Sequence, residues 1–454
     1  MTFRNSFLLL PLCILAMATC NNQRDQNNQH EQNNRPPTQR DKSVPYVTVK
    51  SEDAIQDEPK VKATLKIIRN DSVLVSSSVG IEYRGALSQS FDKKSYGFEL
   101  RDAQDNAQEM SLLGMPADED WILHGPMSDR SLLRNALAYS IARQIGRYAA
   151  RWEFVELEVN GDYKGLYLLM EKLKRSPDRI NIAKLSKHTT HPDSITGGYV
   201  LKIDKTAGTQ GNWSDYTNAN SFHSRYDARG RASLASKIHY LYEYPKATHI
   251  NPAQKAYIQG YLARFEQAMT APDFAERYPQ LIDTDSFVDY FILAEWMQNN
   301  DAYRISTFLQ KDRNRPLAMG PIWDCDIAFG PDMVFCGGMR RDAWVFRYNQ
   351  YCGGDEWLVP FWWERLLQDP AFKAKVAQRW QALRQTTLSD ANVAQTLQSM
   401  AQYLQQHRLV DANYERWSEK KRESYQQRHQ KHVEHLKTWL QNHSQWIDRE
   451  VGKL

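Results

Sequence analysis

Cysteine is scarce in this chain: five in 454 residues, with no C-x-x-C pair. That excludes a disulfide scaffold and the usual zinc-ribbon spacings. Neither G-x-G-x-x-G nor G-x-x-x-x-G-K occurs, so no glycine-rich cradle for phosphates can be read. An excess of charge of one sign is missing as well. Lys and Arg number 58 against 54 Asp and Glu, a formal balance of +4, which is no footprint for a nucleic-acid partner. After residue 20 no run reaches the roughly eighteen apolar residues that a membrane helix requires. What is present is 41% hydrophobic and 11% aromatic content. That suffices for two or three domains or one large two-lobed unit.

The N-terminus is set apart. Residues 1–20, MTFRNSFLLLPLCILAMATC, place Arg4 before an apolar stretch from Phe7 to Ala18, too short to span a bilayer. Ala18-Thr19-Cys20 resembles the cleavage box of a bacterial lipoprotein, in which the Cys is acylated. An ordinary secretory peptide cut near Ala18 is the other reading. Both predict export, and the first predicts a membrane anchor at Cys20. Residues 21–43 read as a disordered tether, because eleven of residues 21–40 are Asn or Gln and none is aliphatic or aromatic. The folded part is expected over 44–454.

The first half of that part is strand-rich. Val79, Ile81 and Tyr83 alternate with Gly80 and Glu82 and lead to Arg84-Gly85. KKSYGFEL gives a second strand, with Tyr96, Phe98 and Leu100 on one face and Lys94 in the same parity. Such a lysine either snorkels to an edge or faces an anion. Residues 131–146 show helical spacing with Gly146 as a stop. FVELEVNGDYKGLYLLMEK then reads as a hairpin about Asn160-Gly161.

The second half reads as mainly helical, with one exception. Asp283-Thr284-Asp285 caps a helix, 286–298, that is apolar on nearly every side. YRISTFLQ, the turn KDRNRP and LAMGPIW follow as an antiparallel hairpin. A turn centred at Asp312–Arg313 sets Asp301 opposite Asp324, and a slip of one or two residues brings Asp326 nearer. Carboxylates 23 to 25 residues apart thus converge. Like charges at one point repel unless a cation lies between them. A divalent metal with an acid–base partner is one reading; neighbouring turn and cap aspartates are the other.

Smaller signals are few. Cys336 and Cys352, in a Gly-containing stretch of an exported chain, suit a disulfide. His429, His432 and His435 repeat at i, i+3 but sit on a polar helix and read as solvated rather than ligating. The polar stretch 211–230 reads as a mobile loop.

Six ordered stretches resemble the CotH-type kinases: Arg84-Gly85 with KKSYGFEL, DRSLLRNALAYSIAR, FVELEVNGDYKGLYLLMEK, GGYVLKIDK, SFVDYFILAEWMQNND and MGPIWDCDIAFG. The resemblance implies an α+β, atypical two-lobed protein-kinase-like fold, with a strand-rich small lobe over about 44–175 and a mainly helical large lobe over about 176–454. It implies phosphate transfer from ATP to a protein Ser or Thr with Mg²⁺ or Mn²⁺. Asp301 would be the catalytic Asp, Asp324 the metal Asp and Asp326 a second ligand. Lys94 would contact phosphate, with Arg84 and Arg134 as further candidates, and Trp323 would stack on adenine or pack in the core. The helix 131–146 has no Glu to pair with that lysine, which leaves Glu171 as a substitute. The expected partners are a nucleotide, a protein substrate and the membrane, with no nucleic acid.

ATP is scarce outside the cytoplasm, so other readings stay open for an exported chain. One is an inactive kinase-fold surface protein that binds a glycan or protein partner through Trp344, Trp357, Trp362 and Trp363. Another is a different ATP-dependent transfer on the same fold. A glycan hydrolase using the paired carboxylates is the third.

Overall fold

The computed structural model describes residues 40–206, 213–330, 342–418 and 424–454. The expectations for the leader, for Cys20, for most of the tether and for Cys336 lie outside them. Residues 40–43, counted with the tether, are held to the domain: Asp41 pairs with His407 at 2.7 Å and Lys42 with Asp71 at 2.7 Å.

Four strands open the fold as antiparallel neighbours: β1 (Tyr46–Ser51), β2 (Val61–Arg69), β3 (Ser72–Arg84) and β4 (Ser95–Arg101). A small pair, β5 (Met110–Leu112) and β6 (Met115–Asp118), precedes β7 (Asp120–His124). Helix α1 (Arg134–Gln144) follows, then β8 (Trp152–Val159) and β9 (Asp162–Glu171). The sheet order β1-β2-β3-β4-β7-β9-β8 closes on itself, because β8 runs parallel to β1 with Tyr46 opposite Glu156. Closure leaves no open edge. Alternate residues fill the interior, among them Val47, Leu65, Ile81, Phe98, Leu123, Val155 and Leu169. Each such buried side chain contributes about 1.5–3 kcal/mol. The hairpin at Asn160-Gly161 forms as read: both residues take positive φ, 53° and 78°, the primed turn that matches strand twist.

The rest is built on one sheet and a set of helices. Strands β10 (Tyr199–Ile203), β11 (Ser221–His223), β12 (His239–Tyr244), β13 (Thr307–Lys311) and β14 (Leu317–Met319) form a sheet ordered β11-β12-β10-β13-β14. Around it lie α2 (Pro252–Thr270), α3 (Thr284–Met297), α4 (Pro370–Arg384), α5 (Asp390–Gln406), α6 (Leu409–Trp417) and α7 (Tyr425–Glu450). Helix α3 is the buried helix expected: Asp283 caps it through the Ser286 amide, and every residue from Ser286 to Met297 is buried. The hairpin behind it is not isolated but forms the β13–β14 side of this five-stranded sheet. Helix α6 returns to the barrel, where buried Lys93 donates to the Leu166 carbonyl at 2.6 Å and to the Asn413 amide oxygen.

Class and layout therefore agree with expectation: α+β, strand-rich first and helical later. The closed barrel was not foreseen. Of the four tryptophans considered as a surface platform, Trp362 and Trp363 are 0% exposed and Trp344 is also buried. They pack as core, because rings of this size bury the most apolar area. Cys352 is disulfide-bonded, and Cys325 is buried and free. The described part of 211–230 carries β11 and a stack of Tyr216 on His239 at 3.9 Å.

Candidate active site

Sheet direction gathers the acidic residues. Ile203, the last residue of β10, pairs with Thr307, the first of β13. Leu309 of β13 pairs with Met319, the last of β14. The exit of β10, the entry to β13 and the exit of β14 thus share one end of the sheet. Asp204 leaves β10 there, Asp301 lies in the loop entering β13, and Asp324 follows β14. The register differs from expectation, which set Met319 opposite Ser306 rather than Leu309. The turn centres on Asn314 at φ 53°, a residue that tolerates the left-handed region. Neither Asp301 nor Asp324 lies in the ladder itself. The chain bends out of it through left-handed Tyr303, Ser306 and Asp324, at φ 73°, 49° and 58°. Non-glycine residues in that region cost about 1–3 kcal/mol each and concentrate at functional sites.

Side chains brace the two loops. The buried Asn299 amide oxygen accepts from the Asp301 amide at 3.2 Å, and its nitrogen donates to the Asp324 carbonyl at 3.5 Å. Arg304 donates to Asp301 at 3.3 Å and to the Asn300 carbonyl at 2.8 Å. From the barrel side, α1 holds the next stretch. Tyr139 hydroxyl accepts from the Asp324 amide at 3.3 Å, and Asn135 accepts from the Cys325 amide at 2.8 Å. Arg134 reaches the carbonyls of Asp326 and Gly330 at 3.3 and 3.4 Å. Ser128 donates to the Asp326 carboxylate. A helix without glutamate thus serves here by fixing the backbone of 324–330.

Electrostatically the site is short of positive charge. Burial, with Asp326, Asp301 and Asp204 around it, pushes the Asp324 carboxyl well above its ordinary range, with Arg84 opposing the shift. By surface area the residue is nonetheless exposed. Among the described residues its carboxylate accepts no hydrogen bond and makes no ion pair. Asp301 is raised by burial against the pull of Arg304 and Lys205. Arg84 is lowered by burial, its cation being favoured by Asp324. A partnerless carboxylate with three acidic neighbours fits a divalent cation. Hard cations take oxygen donors, and Mg²⁺ in particular keeps several waters and phosphate oxygens in its shell. The only three acids with oxygens within 4.8 Å of one another among the described residues are Asp118, Glu119 and Asp120. Lys60, Lys172, Lys174 and Arg179 already neutralise that group.

Of the residues expected at the site, Asp301, Asp324, Asp326, Arg84 and Trp323 come together. Trp323 stacks on Tyr139 at 5.9 Å, with the Arg84 guanidinium 5.6 Å from its ring centre. Arg134 is there as a backbone clamp. Lys94 donates to the Gln89 carbonyl at 2.6 Å, which caps the turn between β3 and β4. Glu171 is fully buried and binds Arg151 at 2.7 Å and Tyr148 at 3.1 Å. His429, expected to be solvated, is instead buried on the Ser131 carbonyl at 2.8 Å. Sequence reasoning missed Asp204, Lys205, Arg304 and Asn299. Asp204 and Lys205 stand in the quoted stretch GGYVLKIDK, but only the pairing of β10 with β13 carries them to the site.

Four carboxylates thus gather at one sheet end, beside a barrel that supplies an arginine. The family model described as CotH kinase protein matches residues 81–447, and the chain belongs to that family. No curated protein matches the chain.

Proposed function

We propose that this protein is an exported, lipid-anchored kinase of the cell envelope that transfers the γ-phosphate of ATP to a protein Ser or Thr with Mg²⁺ or Mn²⁺. The observation that carries the reading is the Asp324 carboxylate, unpaired among the described residues, on the same sheet end as Asp301, in a chain of this family. Asp324 and Asp326 are the residues that would hold the cation, which when bound neutralises charge on phosphate oxygens. Asp301 orients the acceptor hydroxyl and takes its proton, a role helped by a carboxyl raised through burial. Asn299 keeps Asp301 and Asp324 in fixed relation, and α1 keeps 324–330 from shifting. Arg84, at the end of β3, faces the same point from the barrel.

Transfer of label from γ-³²P-ATP to an envelope protein extract tests the reaction. Labelled Ser or Thr is expected with the wild type and none with Asp301→Asn. Equal labelling by both proteins would refute the site. For the anchor, Cys20→Ser is expected to move the protein out of the membrane fraction; retention there would exclude acylation at Cys20.

A further inference from the structure

A lysine other than Lys94 acts on the acidic residues. Lys205 follows Asp204 at the exit of β10, and its charge acts on Asp301. Its ammonium lies 4.9 Å from the ring centre of Trp213 and 5.1 Å from that of Trp357. The holders are themselves fixed. Trp357 donates from its indole to the Tyr216 hydroxyl at 2.9 Å, Tyr216 donates to the Asp204 carbonyl at 2.8 Å, and the Trp357 carbonyl accepts from Arg304 at 3.4 Å.

Lys205 makes no side-chain hydrogen bond or ion pair among the described residues. A lysine present only to balance charge would pair with a neighbouring carboxylate. Here Asp204 pairs with Lys202 at 2.6 Å and Asp301 with Arg304 at 3.3 Å. Among the described residues Lys205 thus keeps three donors unpaired, with its ammonium near two indole rings that limit its freedom. Ordering it costs about 1.5–2 kcal/mol of rotamer freedom, a cost met before any ligand arrives. That is the preparation an anion-contacting group needs.

We infer that Lys205 is a catalytic residue that donates hydrogen bonds to the oxygens of the phosphoryl group in transit between ATP and the acceptor hydroxyl. The inference rests on the phosphotransfer reading above. In that step the bond from the γ-phosphorus to the β,γ-bridging oxygen breaks and its electron pair leaves with ADP. The bond from the acceptor oxygen to phosphorus forms, and the hydroxyl proton passes to Asp301. Lys205 keeps its proton throughout and meets the charge on the equatorial oxygens.

The test compares wild type, Lys205→Met and Lys205→Arg by calorimetric titration with ATP and, separately, ADP in the presence of Mg²⁺, alongside turnover. Wild type is expected to favour ATP. Lys205→Met is expected to lose about tenfold in ATP affinity with ADP affinity unchanged, and about a hundredfold in turnover. Lys205→Arg should recover the preference for ATP. An unchanged ATP-to-ADP preference in Lys205→Met overturns the role of the lysine alone. A wild type that binds no nucleotide overturns the phosphotransfer reading and the lysine's role with it.

Discussion

Neutralising Asp324 should stabilise the fold while removing its use. In Asp324→Asn the side chain keeps its shape, and Asn tolerates the left-handed φ of 58° found there. The wild-type carboxylate makes no hydrogen bond or ion pair among the described residues, so no partner is stranded. It does face three carboxylates, Asp326, Asp301 and Asp204, against one guanidinium, Arg84. The net is two repulsive pairs. At about 0.5 kcal/mol for a solvent-screened pair, the variant gains about 1 kcal/mol in metal-free buffer at pH 8. The sign with pH follows from the raised carboxyl. Its protonated form is favoured in the fold, so the wild type suffers no penalty below the unfolded value of 3.8 and loses stability as pH rises through the raised folded value. The two proteins should melt together near pH 3.5 and separate toward pH 8. Urea denaturation in EDTA at several pH values measures this. A variant less stable than wild type by 1 kcal/mol or more at pH 8 would refute the repulsion account.

Four further outcomes follow from other parts of the molecule. Glu295, buried on α3, accepts from the amides of Val345 and Phe346 at 2.6 and 2.9 Å and from Tyr303 at 2.8 Å, and burial pushes it up to about 7. Its contribution is complete below 4.5 and lost as pH rises through about 7, on the order of 3 kcal/mol. Glu295→Gln should flatten that part of a stability–pH curve. Gly165→Ala, at φ 76° with a Cβ 3.2 Å from Asn413 Cα, should cost about 1–2 kcal/mol or more and loosen α6 from the barrel; hydrogen exchange in α6 reads this. Trp362→Ala should cost about 3–5 kcal/mol in a urea melt. An unchanged melt would return that residue to the surface-platform reading. Asp301→Asn should abolish turnover while leaving metal-dependent nucleotide affinity within about threefold of wild type, measured by calorimetry.

What sequence reading could reach was local. The cap Asp283, the apolar run of α3 and the Asn160-Gly161 turn each act within a few residues, and each forms as read. Asp301 and Asp324 were brought together by hairpin arithmetic even though the register was three residues off, because both lie beyond the ladder at the same end. Asp204 and Lys205 needed a pairing between strands about a hundred residues apart, which no local pattern reveals. Barrel closure needed the parallel contact of β1 with β8, another long-range choice. For Lys94, parity names a face but not the partner, which in the structure is the Gln89 carbonyl. The alternation Val61, Ala63, Leu65, Ile67 in β2 was legible and went unread.

The central claim is a metal-dependent nucleotide site built on Asp324. Calorimetric titration of the purified protein with ATP, in Mg²⁺, in Mn²⁺ and in EDTA, beside Asp324→Asn, tests it most directly. Saturable binding that needs the metal and disappears in the variant is the result predicted. No binding with either metal, or binding that survives in EDTA and in Asp324→Asn alike, would contradict it.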